Sequence, residues 1–244
     1  MLECRLEYLH NHVDFFVICE ANYTHSGNKK EFNYLNNESR FKKYADKIIY
    51  IPLKISENYD FSNSWTLEKE QRNKLMDGLE NFNEDDIVII SDLDEIPNVD
   101  VLPKIIDRIE GVKFFALKQE LYYYNLSTFA NDDWQSAKVT TVKTARKLGL
   151  DYIRTSRVPD HHGVIANGGW HMSYFFSPEG IKQKIESFAH QEYNTDEYKG
   201  EEHISKCISE KKDVYGRCNF TEKNKEHFPE ELFKVFSRFY KQII

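Results

Sequence analysis

The stretch Asp85-Asp86-Ile87-Val88-Ile89-Ile90-Ser91-Asp92-Leu93-Asp94-Glu95-Ile96-Pro97 decides how the rest of the chain is read. Ile87 to Ile90 form an unbroken apolar run of β-formers, the pattern of a strand buried on both faces, as in parallel sheets. The run leads into carboxylates at i and i+2, with a further one directly behind them. Side chains two apart on a strand point the same way, so Asp92 and Asp94 are expected on one side of the sheet's end. Pro97 then stops the ladder. Ligands of open α/β sheets gather outside the carboxyl ends of their strands. Paired oxygen ligands there suit a hard divalent cation, Mg²⁺ or Mn²⁺, held together with a substrate's phosphates. Taken alone, an Asp-x-Asp is as readily a charged turn after a core strand, so the rest of the chain has to decide.

The chain has 244 residues, enough for one large α/β domain with its own core or for two small ones. We expect one main domain over residues 1–220, with a charged helical tail over 221–244. A net charge of -7 argues against general nucleic-acid binding, which calls for a basic face. No apolar stretch reaches bilayer length and Met1 opens no signal peptide, so a soluble, cytoplasmic protein is the expectation. Cys4, Cys19, Cys207 and Cys218 show neither a CxxC pair nor zinc spacing. They read as free thiols, with a Cys207–Cys218 bridge only in an oxidising compartment. Tyr122-Tyr123-Tyr124, Trp65, Trp134 and Trp170 lie near polar or glycine-rich stretches. Such rings often floor sugar sites, although most aromatics serve the core.

Leu2, Leu6 and Leu9 have helical spacing. Val13 to Cys19 reads as a strand with Glu20 at its end, Asn22 to Asn37 as a loop, and Lys47 to Leu53 as a second strand. Thr66 or a neighbour caps a helix through Gln71, Arg72, Leu75 and Leu79. After the Asp-x-Asp strand come a helix over Pro103 to Ile109 and a strand over Val112 to Leu117. This alternation implies right-handed crossovers and a mostly parallel sheet. Tyr122 to Ile165 is more strand-like, with Lys138 to Val142 clearest. A helix from Pro178 to about Gln191 and a charged helical tail follow Gly168-Gly169.

These residues together carry a resemblance. Tyr23-Thr24-x-x-Gly27 with Lys30, Arg40-Phe41, Asn63-Ser64-Trp65 and Gln71-Arg72-Asn73 come first. Ser91 to Pro97, Tyr122 to Asn125, Gly168-Gly169-Trp170-His171-x-Ser173 and Lys184 to Glu192 follow in order. The set resembles glycosyltransferase family 17, from about Leu2 to about Arg217. The resemblance implies a GT-A fold, with a Rossmann-like, mostly parallel sheet flanked by helices. It also implies inverting transfer of N-acetylglucosamine, or a related sugar, from a UDP-sugar to a glycan hydroxyl, with a metal on the Asp-x-Asp. The partners implied are a UDP-sugar donor and a glycan or glycoconjugate acceptor; a lipid-linked acceptor would bring the protein to a membrane surface. Family members open with a strand and an Asn-Glu-Leu stretch ahead of the helix entered here at Leu2. That first strand, which helps hold the nucleotide base, is missing here: either the true start lies upstream or the donor site is shortened. A shortened site favours the alternative of a non-catalytic glycan-binding protein. A metal-dependent phosphohydrolase or nucleotidyltransferase would share the paired carboxylates but needs further clustered ligands.

The chemistry assigns roles. A metal bridging the diphosphate stabilises the leaving group, and the acceptor hydroxyl needs a carboxylate base. Asp94 is the first-choice metal ligand; Asp92 contacts the ribose, a metal-bound water or the metal, and Glu95 orients either. His171, after two glycines that admit close backbone approach, is a metal or phosphate contact, or else a histidine hydrogen-bonded under a loop. Glu192 leads as general base through its place in the family string, although exposed helical charge is the ordinary account of such a residue; Glu120 and Asp133 are its rivals. Arg72, a bidentate phosphate partner or a surface arginine, joins Asn73, Glu20 and Trp170 as donor-site candidates.

Overall fold

The computed structural model describes residues 1–109, 112–157 and 163–240, the side chain of Lys225 excepted. The protein is mixed α/β and divides into two compact units, each assembled from separated stretches of chain.

One unit comprises Asp14–Gly78 and Phe176–Asn219. Strands β1 (Phe16–Ala21) and β2 (Ile48–Leu53) run parallel, in register from Phe16 opposite Ile48 to Ala21 opposite Leu53. Parallel neighbours need a long connection. Here it contains the short helix Asn33–Asn36 and the 3-10 segment Glu38–Lys47. β1 starts and ends later than its hydrophobic pattern suggests, so Glu20 lies inside the strand rather than beyond it. Asn63, not Thr66, caps the helix Ser64–Lys74, its side chain accepting from the Trp65 N–H. Leu67 on that helix packs with Ala21, Tyr23 and Ile55. The helix after the glycine pair ends at Ser187, short of the expected Gln191.

The other unit comprises Met1–Val13, Leu79–Phe175 and the segment from Phe220 onward. Its strands are β3 (Ile87–Ile90), β4 (Glu95–Pro97), β5 (Phe114–Tyr123), β6 (Thr128–Trp134), β7 (Lys138–Thr141), β8 (Val164–Ser173) and β9 (Thr221–Glu222). β5 pairs in turn with β7, β8 and β6, and β8 also pairs β4, so the sheet curls. Among the described residues of this unit, β5 and β8 run parallel and the remaining strand pairs are antiparallel. The expected mostly parallel sheet is therefore corrected here. The reason is local: the β5–β6 connection is too short for a crossover, and β7 runs on from β6 in the same direction, so both lie antiparallel to β5. In the β5–β6 connection, Asn125 Oδ1 accepts from the N–H groups of Ser127 (2.9 Å) and Thr128 (3.0 Å), closing an Asx-type turn.

Val101, Ile105, Phe115, Leu117, Val139 and Ile165 form a core cluster in this unit. The helices Leu2–Leu9 and Glu230–Phe239 are joined by an Arg238–Glu7 ion pair of 3.0 Å. β9 pairs with Thr128 and Phe129, so the strand and helix after residue 220 belong to the same unit as the acidic turn. Among the described residues, no helix is long and apolar enough to cross a membrane. Among the described residues, none of the four cysteines is joined in a disulfide.

Candidate functional site

β3 stops at Ile90, so Asp92 and Asp94 stand in a turn rather than on alternate positions of a strand. The turn closes reciprocally: the Glu95 N–H donates to Asp92 O (3.1 Å), and the Asp92 N–H donates to Glu95 Oε2 (2.9 Å). β4 then begins at Glu95 and pairs antiparallel with β8, setting Glu95 opposite His171 and Pro97 opposite Gly169. Gly169 has φ +137, and a Cβ there would collide with Ile96 O. Only glycine lets the two backbones come this close.

Glu95 is fully buried. Its Oε1 accepts from Arg154 NH2 (2.7 Å) and from Trp134 Nε1 (2.6 Å). The same Arg154 nitrogen donates to Asp92 Oδ2 at 2.6 Å, so one buried guanidinium clamps both carboxylates. Burial pushes the Glu95 carboxyl above its ordinary range against the pull of Arg154. Burial also works against the Arg154 charge, but Glu95 and Asp92 outweigh it and hold the guanidinium protonated. Arg5 fastens the turn from the backbone side: NH2 donates to Ser91 Oγ (2.6 Å), and NH1 to the carbonyls of Asp92 (3.3 Å) and Glu95. Burial and then the Arg154 charge push nearby Lys138 down to about 8.

His171 Nε2 lies 3.5 Å from Asp94 Oδ1, and the Met172 N–H donates to Asp94 O at 2.8 Å. The imidazole packs on Trp134, ring centroids 4.4 Å apart. Among the described residues no group of three or more His, Cys, Asp or Glu could hold a metal. The donor set is one carboxylate and one imidazole. That suits Mg²⁺ or Mn²⁺ bound with substrate phosphates, which needs only one or two protein carboxylates. One feature is less usual for a metal-bound imidazole: buried Nδ1 has no hydrogen-bond partner among the described residues.

Glu95, with no exposed surface, orients the turn from within. Trp170 is buried, its ring near Tyr8 and Phe228, and it packs the core of this unit instead of lining a binding face. Glu120, a rival base, is held by Lys223, His227 and Tyr122, while Asp133 is exposed beside Lys118. The other unit holds Glu20, Arg72, Asn73 and Glu192. Arg72 NH2 pairs with Glu68 Oε1 at 2.6 Å. Glu192 is exposed in a 3-10 turn, Gln191–Tyr193, and its Oε1 meets His190 Nδ1 at 2.7 Å. Burial works to raise its pKa, but the His190 hydrogen bond and a backbone hydrogen bond together hold it below the ordinary carboxylate value.

Glu20 accepts from Lys30 Nζ (2.9 Å), the N–H groups of Asn33 (2.7 Å) and Tyr34 (3.0 Å), and Tyr50 Oη (3.2 Å). Burial opposes its charge, yet these donors win and depress its pKa. A carboxylate depressed on folding stabilises above its unfolded value and loses that contribution as pH falls through its folded value. Glu20→Gln is expected to cost about 2 kcal/mol at pH 7. In urea titrations the gap from the parent protein should shrink at acidic pH; a constant gap would refute the assignment.

Arg154 was not among the residues expected from sequence. Nothing in its helix, Leu150–Thr155, distinguishes it from a surface arginine, and its partners lie about sixty residues away. Trp134 carried only the weak signal of an aromatic beside polar residues.

The chain matches Glycosyltransferase family 17 over residues 1–226 and belongs to that family. It is 27% identical over 216 residues to the human (Homo sapiens) protein named Beta-1,4-mannosyl-glycoprotein 4-beta-N-acetylglucosaminyltransferase. That match covers 77% of this chain and 40% of the human protein. The Rattus norvegicus and Mus musculus proteins of the same name match at the same identity and coverage. The chain thus spans 40% of the length of these curated relatives. No solved structure matches it.

Proposed function

We propose that this protein is an inverting, metal-dependent glycosyltransferase that moves N-acetylglucosamine, or a related sugar, from a UDP-sugar to a glycan hydroxyl. The observation that carries the reading is the acidic turn Asp92–Glu95, clamped from within so that Asp94 faces His171, in a chain of glycosyltransferase family 17. Asp94 and His171 would hold the cation, and Mn²⁺ or Mg²⁺ supplies charge stabilisation to the departing diphosphate. Arg154 and Glu95 fix the turn, and Asp92, half exposed, faces the ribose or a water. Glu192 is the proposed base, ionised at neutral pH and able to accept the acceptor's proton. A GT-A arrangement is part of the proposal; the parallel pair β1 and β2 beside the Ser64–Lys74 helix is the feature that supports it.

The test is UDP release and sugar transfer with Mn²⁺ across a set of UDP-sugars. Asp94→Ala is expected to abolish Mn²⁺-dependent UDP binding and lower turnover by about 10² or more, because the diphosphate loses its charge partner. Calorimetry giving equal UDP affinity with Mn²⁺ and with chelator would sink the metal reading. One observation favours a second reading, a glycan-binding protein without catalysis: the buried Nδ1 of His171 has no hydrogen-bond partner among the described residues, unlike the second nitrogen of most metal-bound imidazoles. Glycan binding with no UDP release under any donor would establish it.

A further inference from the structure

Trp65 exposes 44% of its surface, although large aromatic side chains ordinarily lose most of theirs. It is also tightly mounted. Asn63 Oδ1 accepts from the Trp65 N–H at 3.1 Å, and Ser64 Oγ donates to Ala189 O, tying the start of its helix to the segment that carries His190 and Glu192. The His190 ring stands against the indole, centroids 4.5 Å apart and planes at 87°, and its Nδ1 meets Glu192 Oε1 at 2.7 Å. Tyr193 flanks His190 at 5.9 Å. All these residues lie in the same unit.

We infer that Trp65, His190 and Glu192 form a subsite for one pyranose ring of a glycan. A sugar ring has a face of C–H bonds and a rim of hydroxyls. A fixed, exposed indole matches the face. An ionised carboxylate, aligned by an imidazole, accepts strongly from the rim. The pairing discriminates against other ligands: the Glu192 charge repels phosphates and anionic lipids, and a purely apolar ligand would leave the carboxylate unused. The inference deepens the proposed function by taking this ring to belong to the acceptor.

The test uses the full chain without nucleotide. The indole N–H resonance of Trp65, assigned by its loss in Trp65→Phe, is followed during millimolar titrations. The probes are the methyl β-glycosides of mannose, glucose and N-acetylglucosamine, and N,N′-diacetylchitobiose. At least one should move the Trp65 signal while those of Trp134 and Trp170 stay in place. Trp65→Ala should weaken binding of that sugar by about tenfold at an unchanged melting temperature, with Trp65→Phe recovering part of it. A Trp65 signal unmoved by all the probes overturns the subsite, as does equal affinity in Trp65→Ala. If Trp65 responds but no donor is ever turned over, the transferase reading fails and the subsite stands. If transfer proceeds with an acceptor KM unaltered in Trp65→Ala, the subsite alone fails.

Discussion

Glu192→Gln is expected to bind UDP-sugar with the affinity of the parent protein and to lose turnover by about 10²–10⁴, the usual contribution of a positioned base. The amide preserves the shape of the side chain and removes its basicity. The residue is exposed and its hydrogen bond with His190 lies at the surface, so the substitution should hardly change stability. Steady-state kinetics together with donor calorimetry in Mn²⁺ provide the check. Undiminished turnover would move the role to Glu120 or Asp133. Asp133 would then be the better candidate, because Glu120 is already held by Lys223, His227 and Tyr122. Lost donor binding would instead make Glu192 a donor-site residue.

Arg154→Met is expected to destabilise the protein by about 3–5 kcal/mol, the usual result of removing one member of a buried ion pair. The guanidinium is almost fully buried and touches two carboxylates, and methionine of similar length leaves Glu95 in a dry site with its charge unmatched. The mechanism makes a second outcome compulsory. Adding Glu95→Gln to Arg154→Met removes the stranded charge while keeping an acceptor for the Trp134 indole N–H, so the double variant should recover part of the loss. Chemical denaturation of the parent, the two single variants and the double variant gives the coupling directly. Strictly additive losses would mean that Arg154 stabilises through Asp92 or by packing, and not through the Glu95 charge.

Much of the architecture was legible in the chain, and the failures have definite causes. The helix at Leu2–Leu9 follows from its apolar spacing, and the strands Ile48–Leu53 and Lys138–Thr141 from their β-branched and aromatic residues. Strand direction was misjudged. Alternating elements suggested crossovers, yet the brief link before Thr128–Trp134 permits only a hairpin, and β7 then continues along β5 in the direction of β6. The acidic turn was found because three carboxylates follow an apolar run. Its geometry was not, because the strand ends before Ser91 and the i, i+2 rule no longer applies. Trp170 was misjudged for a related reason. Next to a glycine pair it looks accessible, but strand alternation sends His171 toward the turn and the tryptophan inward. Arg154 was invisible because its meaning lies wholly in contacts across some sixty residues.

The segmented construction of the two units has a consequence for the order in which they come into being. During synthesis, the unit that ends at Asn219 has all its pieces before the last stretch of chain has been made. The unit holding the acidic turn does not. It needs the first thirteen residues, a central stretch and the segment from Phe220, so its opening helix must wait for a partner more than two hundred residues away. Domains tend to fold as soon as their sequence has emerged, and contacts between distant residues form slowly. The nascent chain should therefore carry one finished unit beside an open sheet whose β6 edge still lacks β9. Through that interval the unit with the acidic turn is the one exposed to aggregation and to chaperones.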